Sequence, residues 1–291
     1  MVVDEAYATC LRLAREHYEN FPVASRLLRP DMRPHIAAIY AFARLADDFA
    51  DEGDRTDSVR LALLDDWDSR LSLAAAGTPP AGADESAADA VFTALSVTIH
   101  ACNLDVQLLA DLVSAFRQDV TVKRYDNWES LLDYCRRSAN PIGRLVLSVA
   151  GHQDRDTAAC SDAMCTALQL TNFWQDLESD WRKGRLYVPT SIATAAGALE
   201  EDLGGRRMTP AWREALREVA ARTRTLFEAG RPVADAVDGR LRWELRATWL
   251  GGMRVLEQLE RGGFDVFRHR PSLGWRDAAP ILAGVVAWRR P

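Results

Sequence analysis

The chain has 291 residues and a formal net charge of −6, with 48% of its residues hydrophobic and 27% charged. This composition supplies enough apolar surface for a folded core and excludes an intrinsically disordered chain. The negative net charge, without a coherent stripe of Lys and Arg, argues against a nucleic-acid-binding protein.

The sequence pattern predicts neither a signal peptide nor a membrane-spanning helix. The N-terminus carries Asp4 and Glu5 and lacks the apolar segment of a signal peptide. The longest apolar run, Ile281 to Trp288, is far shorter than the roughly 20 residues with which a helix spans a bilayer. The five cysteines lack the spacing of zinc ligands, which favours reduced thiols. We therefore expect a cytoplasmic protein.

Apolar residues recur at steps of three and four along almost the whole chain, which predicts helices and very little strand. The predicted helices are, in chain order, 4–19, 32–52, 56–76, 84–102, 105–122, 128–149, 155–179, 210–229, 231–246, 248–262 and 276–289. Two segments rich in loop residues, 78–82 and 193–207, are predicted to be surface loops rather than domain linkers. The sequence thus predicts an all-α bundle with a central cavity, folded as one domain over residues 1–291.

Two acidic motifs share one helical spacing, about 130 residues apart along the chain. In the first, Asp47 and Asp51 are four residues apart, and in the second Asn172, Asp176 and Asp180 follow the same step. Residues four apart lie on the same face of a helix. Like charges placed this way repel, so a cation is expected near them, and oxygen ligands suit Mg²⁺ bound to a diphosphate. We expect the two acidic helices to face each other across the cavity.

A solvated helix face is the alternative for each acidic motif. In that interpretation Arg44 simply pairs with Asp48, and Lys183 and Arg185 balance Glu178 and Asp180 in a surface loop. The apolar residues around both motifs favour the metal site, because acids that emerge from an otherwise buried helix usually need a partner.

The order of these motifs along the chain resembles the squalene and phytoene synthase family. The segments that carry the resemblance are Phe21–Pro30, Tyr40–Glu52, Tyr134–Gly143, Gln169–Asp180, Lys183–Pro189 and Gly263–Phe267. Within the family, three segments are most similar to the branch that forms hydroxysqualene in bacterial hopanoid biosynthesis: Glu19–Ser25, Arg136–Pro141 and Asn172–Asp176.

This resemblance implies an isoprenoid-synthase-type helical bundle and a Mg²⁺-dependent reaction. The expected substrate is presqualene diphosphate, supplied by a sister enzyme, and the expected products are hydroxysqualene and diphosphate. Two or three Mg²⁺ ions are expected, and NADPH is not. The expected partners are the prenyl diphosphate and the sister enzymes of squalene biosynthesis, without nucleic acid.

The motifs and the resemblance together imply roles for individual residues. The expected Mg²⁺ ligands are Asp47, Asp48, Asp51, Asn172, Asp176 and Asp180. The residues expected to bind the substrate are Ser25, Arg44, Gln169, Asn172, Lys183 and Arg185. The residues expected near the reacting carbons, where ring faces would stabilise a carbocation, are Tyr40, Tyr134 and Tyr187.

Several positions depart from the wider family. Gln175 stands where many relatives carry an arginine, Arg136 stands where tyrosine is common, and Asn140-Pro141 replaces a turn of small residues. Gly251-Gly252 lies where the late helix of relatives often has a tyrosine, and we expect the small residue at Gly252 to leave room for a water molecule. These changes favour an enzyme of the second step alone over one that couples two farnesyl diphosphates.

The sequence allows two alternative functions and two interpretations of the C-terminal segment. A squalene- or phytoene-type synthase is the alternative enzyme. A non-catalytic helical partner protein is the alternative from another class, although it should have lost one of the acidic pairs. The C-terminal stretch Ala279–Trp288, flanked by Arg276, Arg289 and Arg290, is a candidate for shallow contact with a membrane surface. A terminal helix packed on the bundle is the other interpretation of that stretch.

Overall fold

The computed structural model describes residues 2–16, 28–78 and 86–289. These residues form helices joined by turns and contain no extended strand, which confirms the all-α prediction. The helices are α1 Val3–Glu16, α2 Arg33–Asp51, α3 Asp57–Ala75, α4 Ala87–Ala101, α5 Val106–Thr121, α6 Trp128–Ser138, α7 Asn140–Val149, α8 Arg155–Gln175, α9 Leu177–Arg182, α10 Thr190–Ala195, α11 Glu200–Gly204, α12 Pro210–Gly230, α13 Val233–Ala236, α14 Gly239–Arg261 and α15 Trp275–Val286. Among them, none combines the length and the apolar character needed to cross a membrane.

Several predicted helix boundaries are wrong. The predicted helix 128–149 is two helices, α6 and α7, because Pro141 lacks an N–H and is tolerated only in a first helical turn. The predicted break between 246 and 248 does not occur, since α14 is continuous from Gly239 to Arg261. The predicted loop 193–207 contains the end of α10 and all of α11.

Contacts between helices divide the chain into two compact units. The first unit comprises Met1–Thr121 and Pro141–Asp154, and the second comprises Val122–Asn140 and Arg155–Pro291. Nothing in this division tests whether the two act as one domain, so the single domain over 1–291 stays a prediction.

In the first unit α2 is the central helix. It packs against α1, α3, α4 and α5, and its face toward them is lined by small and apolar side chains. An aromatic cluster fixes its position: the Phe42 ring lies 5.7 Å from Trp67 and 6.0 Å from Phe92, and the latter two are 4.5 Å apart. Buried aromatic rings contribute large apolar areas and prefer such offset contacts. The first acidic motif therefore stands on a firmly packed helix.

In the second unit α8 has the corresponding position, with α12 and α14 packed against it. The buried indole Nε1 of Trp174 donates to Thr223 Oγ1 at 3.0 Å and links α8 to α12. A Cβ at Gly252 would lie 2.7 Å from both Leu168 Cδ2 and Phe227 Cζ. The expectation that Gly252 leaves room for water is therefore wrong, because the glycine lets α14 approach its neighbours closely.

A partly buried histidine on α2 should make the first unit sensitive to acid. His35 Nδ1 lies 3.1 Å from Tyr7 Oη and 3.0 Å from Thr98 Oγ1. Burial lowers the pKa of His35, and the charge of Asp31 offsets part of that effect. Because the unfolded chain then binds a proton more readily than the folded protein, the free energy of unfolding should fall as the pH drops below about 6.5.

Urea unfolding on both sides of that pH measures the effect. The control is His35→Gln, whose side chain does not titrate and should flatten the dependence between roughly pH 7.5 and 5.5. The same slope in both proteins would contradict the role of His35.

Candidate active site

The first acidic motif occupies the last turn of α2. The helix ends at Asp51, and the following Glu52 is extended, with φ −94° and ψ 152°. Asp47, Asp48 and Asp51 therefore lie at the negative end of the helix dipole, and no basic residue lies in that turn. Carboxylates at this end of a helix are unfavourable by a few tenths to about 1 kcal/mol each, so the turn favours a bound cation.

Arg44 contacts Asp48 more closely than Asp47. Its Nη2 lies 2.7 Å from Asp48 Oδ1, whereas its Nη1 lies 3.8 Å from Asp47 Oδ2. The Asp47 side chain is 43% exposed and the Asp48 side chain 24%. The pair that the solvated-face alternative expects is thus present for Asp48, while the Asp47 carboxylate lies at the more accessible edge of the helix.

Tyr40, Arg44, Asp47 and Asp51 form one stripe along α2, at steps of four, three and four residues. All four side chains are half-buried, and neighbouring positions such as Ala46 and Ala50 are fully buried. A half-buried polar stripe on a helix whose other side is packed in the core favours a binding site over a solvated face.

The second acidic motif lies where the chain bends. The predicted helix 155–179 is interrupted at Asp176, which joins α8 to the short α9. Backbone hydrogen bonds nevertheless keep the helical step, from Asp176 N to Asn172 O at 2.8 Å and from Asp180 N to Asp176 O at 2.9 Å. Gln169, which is half-buried, lies one turn before Asn172. Together, Gln169, Asn172, Asp176 and Asp180 form a second polar stripe.

Arg270 was missed by the sequence analysis. Its Nε donates to Asp176 Oδ1, and Gln175 Nε2 donates to the carbonyl of Pro271 beside it. The segment after Phe267 thus lies on the second acidic motif. The closely spaced cations Arg268 and Arg270, directly after the Gly263–Phe267 motif, were the available signal.

Lys183 and Arg185 lie in the turn that ends α9. Gly184 has φ +78°, which favours glycine, and the backbone N–H groups of Lys183 and Arg185 both donate to Asp180 O, at 3.0 and 2.8 Å. Glu178, one of the two acids that the surface-loop alternative names, pairs with Arg182 at 2.6 Å and with Arg206. Phosphate binding by Lys183 and Arg185 stays a prediction.

An aromatic cluster brings together two of the three predicted tyrosines. Tyr134 and Tyr187 are buried with ring centroids 6.1 Å apart, and Phe173 stacks on Tyr187 at 3.7 Å. Tyr125 completes the cluster, 5.5 Å from Tyr134 and 5.8 Å from Tyr187. Tyr125 and Phe173 were not predicted, while Tyr40 belongs to the stripe on α2 in the first unit. Ser25 lies outside the described residues.

The residues present fit Mg²⁺. Within the described ranges, no three His, Cys, Asp or Glu side chains come together as a preformed metal cluster. Mg²⁺ does not require one, because it keeps several waters and uses one or two carboxylates together with substrate phosphates. Each motif offers half-buried carboxylate or amide oxygens on a helical scaffold, which is the donor type that Mg²⁺ selects.

Known proteins are similar to this chain in both sequence and fold. A hydroxysqualene synthase from Zymomonas mobilis is 40% identical over 225 residues, covering 77% of this chain and 72% of that protein. One from Rhodopseudomonas palustris is 37% identical over 256 residues, covering 87% and 84%. The crystal structure of squalene synthase HpnC from Alicyclobacillus acidocaldarius has a TM-score of 0.83 and 38% identity, covering 90% of this chain and 95% of that one.

A family model described as squalene/phytoene synthase matches residues 14–277, which is most of the chain. The match contains both acidic motifs, the aromatic cluster and the Arg270 segment. The expected family is thus confirmed, and this chain belongs to the squalene/phytoene synthase family.

Proposed function

We propose that this protein converts presqualene diphosphate and water into hydroxysqualene and diphosphate, as a step of hopanoid biosynthesis. The similarity to proteins named hydroxysqualene synthase carries this proposal, at 40% and 37% identity over most of the chain. The two polar stripes support it, because both acidic motifs are intact and lie on helices that have one side packed in the core. That intactness also argues against the non-catalytic alternative.

The reaction breaks the bond between carbon and the diphosphate oxygen, and the electron pair leaves with the diphosphate. The carbocation rearranges, and a water oxygen bonds to it and releases a proton to solvent. No electrons enter from outside, so the reaction needs no NADPH.

Both acidic motifs are proposed to serve the same diphosphate, so that residues 1–291 act as one catalytic domain. Asp47, Asp51 and Asp176 would hold Mg²⁺, two or three ions in all, with Asp48, Asn172 and Asp180 as further oxygen ligands. Bound Mg²⁺ would neutralise the negative charge that develops on the departing diphosphate.

Cationic and amide side chains would orient the substrate head. The Arg44 guanidinium contacts Asp48 at 2.7 Å in the structure. On substrate binding it would turn toward phosphate oxygens and form charge-assisted hydrogen bonds. Gln169 on α8 would hydrogen-bond the same group, with Ser25, and Lys183 and Arg185 would close over it. For Arg44 and Gln169 this assignment rests on their half-buried positions in the two stripes. For Ser25, Lys183 and Arg185 it rests on the resemblance of these positions to the family motifs.

The aromatic cluster would protect the cation. Tyr134 and Tyr187 present buried ring faces, and a ring quadrupole attracts positive charge while an apolar surface excludes bulk water. Tyr40 would act similarly from α2. The water that ends the reaction would then reach the carbocation at one carbon only.

Substrate choice tests the proposal against the alternative synthase. Purified protein with Mg²⁺ should turn presqualene diphosphate into a thirty-carbon alcohol, identified by mass spectrometry. Farnesyl diphosphate alone should give no thirty-carbon product, because the preceding enzyme must first couple two molecules. Coupling of farnesyl diphosphate by this protein alone would contradict the proposal in favour of a two-step synthase.

A further inference from the structure

The C-terminal helix α15 has one side packed and one side uncovered. Its inner side rests on α14, where Val285 is buried and a Cβ at Gly284 would lie 3.0 Å from Leu250. On its outer side Trp275 is 82% exposed, Leu282 64% and Val286 78%. The sequence interpretations of a packed helix and of a surface-active helix thus describe two sides of one element.

The three exposed side chains form a continuous apolar stripe. Leu282 and Val286 follow Trp275 by about two and three helical turns, so the three lie within roughly 40° of one another around the helix axis. The other exposed residues between Ala278 and Ala287 on this side are alanines, apart from Pro280. A single such residue is ordinary, but an uncovered stripe along a whole helix marks an interaction surface.

The exposed charges of α15 and of the residues directly after it are all positive. Arg276 and Arg289 are exposed near its two ends. The only acid in α15, Asp277, is buried, accepts from Gly274 N at 2.9 Å, and pairs with Arg254 Nε at 2.9 Å. No negative charge of the helix therefore reaches the uncovered side.

This charge pattern selects the occupant. A two-fold contact with a second copy would bring the arginines of both copies near each other without an acid of α15 to pair with them. An anionic lipid surface would instead accept them at both ends. Apolar residues with Trp on one side of a helix and flanking cations are the features of helices that lie in the membrane interface.

We propose that α15 docks the protein, in the plane of the interface, onto anionic lipid bilayers through Trp275, Leu282 and Val286, with Arg276 and Arg289 contacting headgroups. The indole suits the headgroup level, where its ring is buried and its N–H stays hydrated. Docking goes beyond the proposed reaction, because it concerns where the enzyme works. It would keep thirty-carbon lipids out of bulk water.

Flotation of the full-length protein with liposomes tests this inference. The protein should float with vesicles containing phosphatidylglycerol, should float less at high salt, and should bind pure phosphatidylcholine vesicles weakly. The double variant Leu282→Ser/Val286→Ser should lower the partition coefficient about tenfold or more, because two apolar side chains are lost from the buried area. The variant Arg276→Gln/Arg289→Gln should lose the preference for anionic vesicles.

The matched control is Leu199→Ser, which removes an apolar side chain of similar exposure, 60%, at the start of α11 and should bind like the wild type. All variants should keep the wild-type helix content, since the replaced side chains are exposed. Turnover of presqualene diphosphate in detergent should also stay unchanged, which separates docking from catalysis.

Four results would overturn the proposal. The first would be a wild-type protein that does not float with anionic vesicles, and the second a double variant that floats as well as the wild type. Alternatively, light scattering shows a dimer that the double variant converts to monomer, which would assign the stripe to a second copy. Loss of turnover in detergent by the double variant would place these side chains in the active site instead.

Discussion

Replacing Asp47 or Asp176 with asparagine should lower turnover of presqualene diphosphate by about a hundredfold or more at saturating Mg²⁺. Metal-assisted stabilisation of a leaving group supplies several kcal/mol, and each factor of ten in rate corresponds to about 1.4 kcal/mol. An amide keeps the size of the side chain but removes the charge that holds the cation. Initial rates over a Mg²⁺ titration measure the effect.

Circular dichroism should show unchanged helix content in both variants. The matched control is Glu218→Gln on α12, an exposed carboxylate paired with Arg222 at 2.7 Å, which should keep full activity. Near-normal turnover in Asp47→Asn or Asp176→Asn would contradict the assignment of that motif to Mg²⁺.

The unfolding of the metal-free protein gives an independent test of Asp47. Its carboxylate lies in the C-terminal turn of α2, beside Asp48 and Asp51, where like charges and the helix dipole both disfavour it. Asp47→Asn should therefore leave the metal-free protein as stable as the wild type or slightly more stable. A clear loss of stability would indicate a structural ion pair with Arg44 instead.

Gly230→Ala should destabilise the protein by about 3 kcal/mol or more. A Cβ at this position, the last residue of α12, would lie 2.5 Å from Met164 N and 2.7 Å from Met164 Cα. These are backbone atoms of α8, so they move only if the helices separate. Because α8 also carries Gln169 and Asn172, the separation should lower activity as well. Chemical unfolding gives the change in free energy.

Gly204→Ala is the control for a glycine at a helix end. It closes α11, and a Cβ there would meet no atom within 4 Å. Its effect should be within a few tenths of a kcal/mol, or slightly stabilising, because alanine lowers the entropy of the unfolded chain. An equally small effect for Gly230→Ala would show that α8 and α12 are not in close contact.

Helix content and most helix positions depend on local sequence and were predicted correctly, although the breaks near Pro141 and within 193–207 were not. Apolar periodicity is set by residues three and four apart, so helices such as α2 and α3 were placed within a residue or two of their ends. The step of four residues in each acidic motif is likewise local, and it survives even the bend at Asp176.

The features that depend on distant residues were not predicted. Gly252 lies inside a helix, as predicted, but its close contact with Leu168 and Phe227 contradicts the expected room for a water molecule. The ion pair between Arg270 and Asp176 spans 94 residues, and the stacking of Phe173 on Tyr187 also joins separate segments. Periodicity carries no information about such pairs. The reaction itself was inferred from the family resemblance rather than from the geometry.

The fate of the cation is the central claim, and the source of the product oxygen tests it most directly. Presqualene diphosphate is incubated with the protein and Mg²⁺ in ¹⁸O-labelled water, with and without NADPH, beside a heat-inactivated control. The account predicts a thirty-carbon alcohol that carries the label, formed at the same rate whether or not NADPH is present. An unlabelled alcohol, or diversion of the product to squalene by NADPH, would contradict it.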